Sequence, residues 1–378
     1  MWEIAQVKQT TPEPGYLELQ SAELLLDSGI DSTTLERSVQ ALNWAGLEIE
    51  PQDRLLLCTA PSSIRSLALV QLARNVGARV YAPLEIDQEN FHPASVLHTI
   101  DAAEISLSDW YPWQLAALLR LPARERRSYV GTNHRYAWVG GARMPRWLQE
   151  DLWAWWGAVF CEHLSFAHWP GSCVATVREW QEHPGCAGIW RGPPDTSLQI
   201  LDRSQQLCDE GCIGSLQPVP PAAEEGVEHG ELRTDLMLGY TGTDGQVYPL
   251  GLSGLAQATE DGWLTPYEGE QLLETHPDVA EAVMWHSDMT LDRPLDAPLQ
   301  DTVDAKPEVD GFRAFVELRH PALASPLLEV ELLEFCARAL SSAKCPRTIL
   351  FVASLPRTAW GGVDYDALVR AFGDESSS

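Results

Sequence analysis

Leu355-Pro356-Arg357-Thr358-Ala359-Trp360-Gly361-Gly362-Val363-Asp364 is the most informative stretch of this 378-residue chain. It follows Thr348–Val352, an apolar segment that reads as a strand, and precedes a tail, Gly373–Ser378, expected to fray. The Gly-Gly pair leaves position 362 without a side chain, so nothing there can carry charge. Upstream, Leu327–Leu340 reads as a helix, Phe312–Leu318 and Ala280–Trp285 as strands, and Glu268–Glu274 as a helix. This order predicts a small α+β unit over residues 253–372. Asp288–Asp310, acidic and proline-rich, interrupts it as an excursion expected to be disordered.

Residues 1–252 read as a larger α/β portion. Leu24–Leu26 and Asp53–Cys58 read as buried strands, Ser38–Trp44 and Ser62–Asn75 as helices, and Arg79–Ala82 as the next strand after Gly77. Ile105–Leu107 and Tyr136–Val139 continue the strands, each followed by a helix, Trp110–Leu121 and Pro145–Trp156. Strand–helix–strand alternation implies a parallel sheet. From about residue 197 the texture changes to short strands and Gly, Pro and Asp turns, a β-rich subdomain with a mobile loop at Pro218–Gly230.

The net charge of −28 argues against nucleic acid and membrane partners, which are bound through clustered Lys and Arg. Such acidity serves solubility, or presents an acidic face to a basic partner protein. No apolar run approaches the roughly 18 residues of a membrane span. Met1-Trp2-Glu3-Ile4 lacks the basic and apolar regions of a secretory signal, so a cytoplasmic protein with reduced thiols is expected. Cys208-x-x-x-Cys212 lacks a second ligand pair for zinc, and no metal site is expected. Trp153, Trp155 and Trp156, beside Leu148 and Leu152, are expected to pack as a helix face.

The opening decapeptide resembles L-P-[KR]-T-x-x-G-K-[IV]-[DR], the closing motif of the adenylate-forming superfamily of acyl-CoA synthetases, nonribosomal-peptide adenylation domains and luciferases. Leu273 to Val283 resembles the family's L-x-x-H-P-x-V-x-E-A-A-V, and Ala339 to Pro346 its L-x-x-Y-K-x-P, with Lys344 expected to face solvent. Arg233-Thr234-Asp235 is similar to R-T-G-D, Asp244 to Gly251 to D-G-x-[LI]-x-x-x-G-R, and Gly211 to Leu216 to G-x-x-G-E-L. Val139-Gly140-Gly141-Ala142 resembles the G-G-A turn of the acyl pocket. Asp27 to Ser32 lies where the phosphate loop belongs. The resemblance implies a truncated adenylate-forming fold that starts near that loop.

Against this pattern, the chain departs where the family's chemistry occurs. Gly362 replaces the lysine that reaches the substrate carboxylate and the ATP α-phosphate. Only Ser28-Gly29 of the phosphate loop survives, flanked by two carboxylates. Near Leu164–His168 no carboxylate matches the Mg²⁺-binding glutamate, and Leu252 replaces the hinge arginine. The resemblance implies an acyl pocket at Gly140, Gly141, Ala142 and Phe166. It also implies a ribose contact at Asp235, which could equally cap a turn. No catalytic residue is assigned; His163 and His168 are candidate general bases, and His168 reads also as an ordinary satisfied polar residue. No cofactor is expected, ATP and Mg²⁺ entering only if the chain is an active ligase. The leading expectation is a pseudoenzyme acting as partner or scaffold in acyl, aryl or aminoacyl thioester metabolism. Its partner would be a carrier protein, a nonribosomal-peptide or polyketide-type enzyme, or a complementary ligase subunit. An alternative is a ligase completed by that subunit, and a third is a new activity in the residual pocket.

Overall fold

The computed structural model describes residues 16–18, 32–44, 48–60, 63–83, 91–128, 133–157, 159–165, 171–194, 196–202, 206–219, 237–252, 255–259, 262–286, 311–358 and 361–372. The expected strand Leu24–Leu26, Ser28-Gly29, Phe166, His168, Arg233–Asp235 and the Asp288–Asp310 excursion lie outside these residues.

In chain order the first elements are β1 (Tyr16–Glu18), α1 (Ser32–Trp44), β2 (Arg54–Leu57), α2 (Ile64–Val76), β3 (Arg79–Pro83), α3 (Pro93–Ala102), β4 (Leu107–Trp110) and α4 (Pro112–Leu119). Next come α5 (Ala123–Ser128), β5 (Tyr136–Val139), α6 (Arg146–Trp156), β6 (Phe160–Ser165), β7 (Ser172–Thr176), α7 (Val177–Glu182) and β8 (Ile189–Arg191). The eight strands form one sheet, ordered β1-β3-β2-β4-β5-β6-β7-β8, parallel from β3 to β6 and antiparallel at the outer pairings.

Leu55, Leu56 and Leu57 have no exposed surface, as expected for a strand covered on both faces. Their side chains alternate: Leu55 and Leu57 join the α1–α2 side with Leu69 and Trp138. Leu56 joins the α3, α4 and α6 side with Trp110, Leu115 and Phe160. The expected helix from Trp110 begins later, because Trp110 closes β4. Tyr111 is held extended before Pro112 (φ −94°, ψ 146°), and proline then occupies the first helical turn. Trp155 and Trp156 pack on the core as expected, whereas Trp153 stays 47% exposed.

An antiparallel sheet follows: β9 (Ser197–Leu201), β10 (Gly214–Val219), β11 (Met237–Thr241) and β12 (Val247–Leu252). Pro218 and Val219 pair with Leu198 and Ser197, so the start of the expected mobile loop is strand instead. After the hairpin β13 (Gln257–Thr259) and β14 (Gly262–Leu264) come α8 (Tyr267–Glu274), β15 (Val279–Trp285), β16 (Phe312–Leu318), α9 (Pro326–Ala339), β17 (Pro346–Val352) and α10 (Tyr365–Phe372). β16 pairs antiparallel with β15 and parallel with β17, around Leu273, Phe312 and Leu332. Lys344 does not simply face solvent; it is ion-paired with Glu268 and 30% exposed.

This carboxyl-terminal unit is tied to the large portion by side chains from α4 and from the segment after β5. Arg143 pairs with Glu274 at 2.5 Å and lies 5.0 Å over the Tyr267 ring. Trp147 Nε1 donates to the Ala280 carbonyl at 2.6 Å, and Arg319 covers the Trp147 ring at 4.6 Å. Arg120 pairs with Glu317. These contacts fix where residues 355–364 fall on the large sheet.

Candidate functional site

The loop carrying Gly361 and Gly362 docks at the carboxyl ends of β4 and β5, the edge at which open α/β sheets bind ligands. Gly361 has φ +82°, and a Cβ there would overlap the Tyr111 ring. The loop is closed by Thr358 N donating to the Gly362 carbonyl at 2.9 Å and by a bridge between Arg357 and Val363. Gly362 differs from its neighbour. A Cβ there would find Gly141 O at 3.5 Å and Thr358 Oγ1 at 3.7 Å, ordinary contact distances, and its φ lies outside the left-handed region. Neither space nor backbone conformation requires a glycine at 362.

Facing this loop is a cluster built on Arg65 and Asp109. Arg65 sits in the first turn of α2, a helix capped by Ser63 Oγ accepting from Ser66 N at 3.0 Å. Its guanidinium meets Asp109 Oδ1 at 2.9 Å, donates to the Trp110 carbonyl at 3.2 Å and lies 5.7 Å from the Tyr111 ring centre. A Cβ on Gly140 would overlap this guanidinium, so glycine there makes room for Arg65. Asp109 is fully buried and also accepts from Thr59. Burial raises its pKa, against the pull of Arg65 and the Thr59 hydrogen bond. Desolvating an unpaired carboxylate is costly, which is why the strand supplies this aspartate with a cation and a hydroxyl.

His163, on β6, is 6% exposed, and neither ring nitrogen has a hydrogen-bond partner among the described residues. Burial, and then the nearby Arg65 charge, push its pKa down to about 3, so the ring is neutral at pH 7. The segment that the resemblance assigned to an acyl pocket forms a turn after β5: Gly140 and Gly141 (φ +85°) follow Val139, and Ala142 leads to Arg143. Gly140, Gly141, His163 and Gly362 thus fall in one neighbourhood, while Phe166, His168 and Asp235 lie outside the described residues.

Arg65, Asp109, Tyr111 and Arg143 were not singled out in the sequence. A signal existed for two of them: Arg65 interrupts an apolar helix face and Asp109 an apolar strand, and charges so placed need each other.

No protein-family profile matches the sequence, and no curated protein matches it. Solved structures do. The amide bond synthetase McbA of Marinactinospora thermotolerans superposes with a TM-score of 0.70 at 21% identity, over 91% of this chain and 66% of that one. The benzoate CoA ligase of Burkholderia xenovorans LB400 gives 0.67 at 21% identity, over 89% and 65%. The O-succinylbenzoate coenzyme A synthetase of Bacillus subtilis, solved with AMP, gives 0.61 at 21%, over 86% and 63%. The chain therefore spans about two thirds of the length of these ligases and carries the adenylate-forming fold.

Proposed function

From the adenylate-forming fold as premise, we propose that this chain is a degenerate relative of the ligases, without ATP-dependent ligation, acting as a partner or scaffold in acyl, aryl or aminoacyl thioester metabolism. The carrying observation is Gly362: it lies against the Gly140–Gly141 turn where a Cβ would make only ordinary contacts, and no cation projects from it. The cation that the described residues do bring to that turn, Arg65, is already neutralised by Asp109. A triphosphate needs donors and positive charge aimed at it. The residues described at this turn do not fit one, and no group of three His, Cys, Asp or Glu that could hold a metal ion occurs among the described residues. Titration calorimetry of the full chain with ATP·Mg²⁺ should give no binding below about millimolar; a micromolar Kd would end this reading. Gly362→Lys tests the same point, and restored carboxylate-dependent pyrophosphate exchange would assign the defect to that single missing charge.

A second reading, a ligase completed by another subunit, draws on the same open space. Among the described residues nothing lies closer than 3.5 Å to a Cβ at 362, and in this reading a lysine from the partner chain supplies the charge that position 362 lacks. Exchange activity in the co-purified complex but not in the isolated chain would favour it. For a base at His163 the structure offers little support, since a pKa near 3 makes it a weak proton acceptor at pH 7.

A further inference from the structure

Carboxyls from both units converge on Arg143. Glu162 faces it from β6 of the large portion, and Glu270 and Glu274 face it from α8 of the carboxyl-terminal unit. Glu274 is buried and pairs with the guanidinium directly, at 2.5 Å. Glu162 and Glu270, both half-buried, are held by other donors. Glu162 accepts from Met144 N at 3.1 Å and Gln149 Nε2 at 3.3 Å, and Glu270 accepts from Met284 N at 2.8 Å. Beside them on β15, Glu281 accepts from Arg357. Glu317, beyond Arg357, has its own cation in Arg120. The other titratable groups facing the cluster are Tyr267, Tyr365 on α10, Tyr240 on β11, and Cys161 and Cys186 near Glu162; burial raises the pKa of each and keeps them protonated.

The charges at this junction do not balance. Four carboxyls, Glu162, Glu270, Glu274 and Glu281, face two guanidiniums, Arg143 and Arg357. The cluster is neutral only when two carboxyls carry protons, and surplus charge away from water is costly. Burial pushes Glu162 and Glu270 up to about 7, so these two are the ones that hold protons. With both ionised, like charges stand on opposite sides of the junction around one cation.

We propose that Glu162, Arg143 and Glu270 form a proton-operated latch: the carboxyl-terminal unit docks on the large portion while both glutamates are protonated and is released when both ionise. A carboxyl that titrates higher in the docked than in the released state favours docking in acid, and loses that contribution as pH rises through its docked value. Each of the two should move the docked-to-released ratio by roughly tenfold or more between pH 5.5 and 8.5. Release carries the Gly361–Gly362 loop, which belongs to the carboxyl-terminal unit, away from Tyr111 and Gly141. The latch stands whether or not the chain binds ATP.

Small-angle X-ray scattering of the full chain tests this, in about 0.3 M salt, which screens the exposed charge of the chain far more than a half-buried cluster. Raising the pH from 5.5 to 8.5 should increase the radius of gyration by about 2 Å over the roughly 21 Å of a compact chain of this length. The midpoint should fall near pH 7. The double variant Glu162→Gln with Glu270→Gln mimics the protonated pair and should keep the acidic radius at both pH values, with circular dichroism confirming its fold. Either single Gln variant should expand less than the parent. The latch is overturned if the parent has the same radius at both pH values. It is also overturned if the double variant, or both single variants, expand as the parent does, which would assign the expansion to the net charge of −28.

Discussion

Replacing Arg143 with methionine probes the junction between the two units. Arg143 stands among Glu162, Glu270 and Glu274, whose pKa values burial raises and the guanidinium lowers. Glu162 and Glu270 are pushed up to about 7, above the ordinary glutamate value of 4.5. Methionine keeps the aliphatic stem and removes the charge. Breaking a buried ion pair from one side costs about 3–5 kcal/mol. Glu274 keeps 4% of its side-chain surface but Arg143 keeps 27%, which places the expected loss at the lower end. At pH 8, where Glu162 and Glu270 are ionised, it should be about 3 kcal/mol. At pH 5.5 Glu162 and Glu270 already hold protons, the Glu274 partner is the carboxyl left unpaired, and the loss should shrink to about 2 kcal/mol. Urea unfolding followed by tryptophan fluorescence at both pH values measures the difference. Equal losses at pH 5.5 and pH 8 would refute the electrostatic account and reduce Arg143 to a packing residue.

Glu162 and Glu270 should make stability fall as pH rises from about 5 to 8, because a carboxyl whose folded pKa lies above its unfolded value holds extra protons in the folded state. His163 and His134, held neutral by burial, act with the opposite sign below about pH 6.5, so the glutamate share is read by comparing the slope of Tm with pH in the parent and in Glu162→Gln, whose slope should be less negative. Gly361→Ala should destabilise by about 2 kcal/mol or release the loop to proteolysis, because φ +82° and the Tyr111 ring both oppose a Cβ. Arg65→Met leaves Asp109 buried without its cation and should cost about 3 kcal/mol at pH 7, diminishing in acid as the carboxyl protonates, which a pH series of thermal unfolding would resolve.

The larger architecture was legible because its signals are local. The run Leu55–Leu57, the strand Tyr136–Val139 ending in Gly140-Gly141, and the helix after Ser325 each announce themselves by apolar spacing and turn residues. Element starts were less legible. Trp110 reads as helix by composition, yet β-sheet pairing with β5 and the constraint of Pro112 hold it extended. The strands β6 and β7 were missed because Phe160–Ser165 carries Glu162 and His163, polar residues whose burial depends on Arg143 and Arg65 more than 15 residues away in sequence. At the site, Gly140, Gly141 and Gly362 were found through motif spacing. Arg65 and Asp109 were not, since their pairing across 44 residues is a tertiary fact that no local pattern encodes.

The adjacent glycines at 361 and 362 live under different constraints, and this bears on how such a chain can change. Position 361 is locked by its φ and by the Tyr111 ring, so drift there is opposed by folding itself. Position 362 is not so held. Relatives of this protein should therefore keep glycine at 361, whereas at 362 the described surroundings admit a Cβ and do not themselves demand glycine. Of two neighbouring glycines, the first is one that folding would defend and the second is one that only a task could.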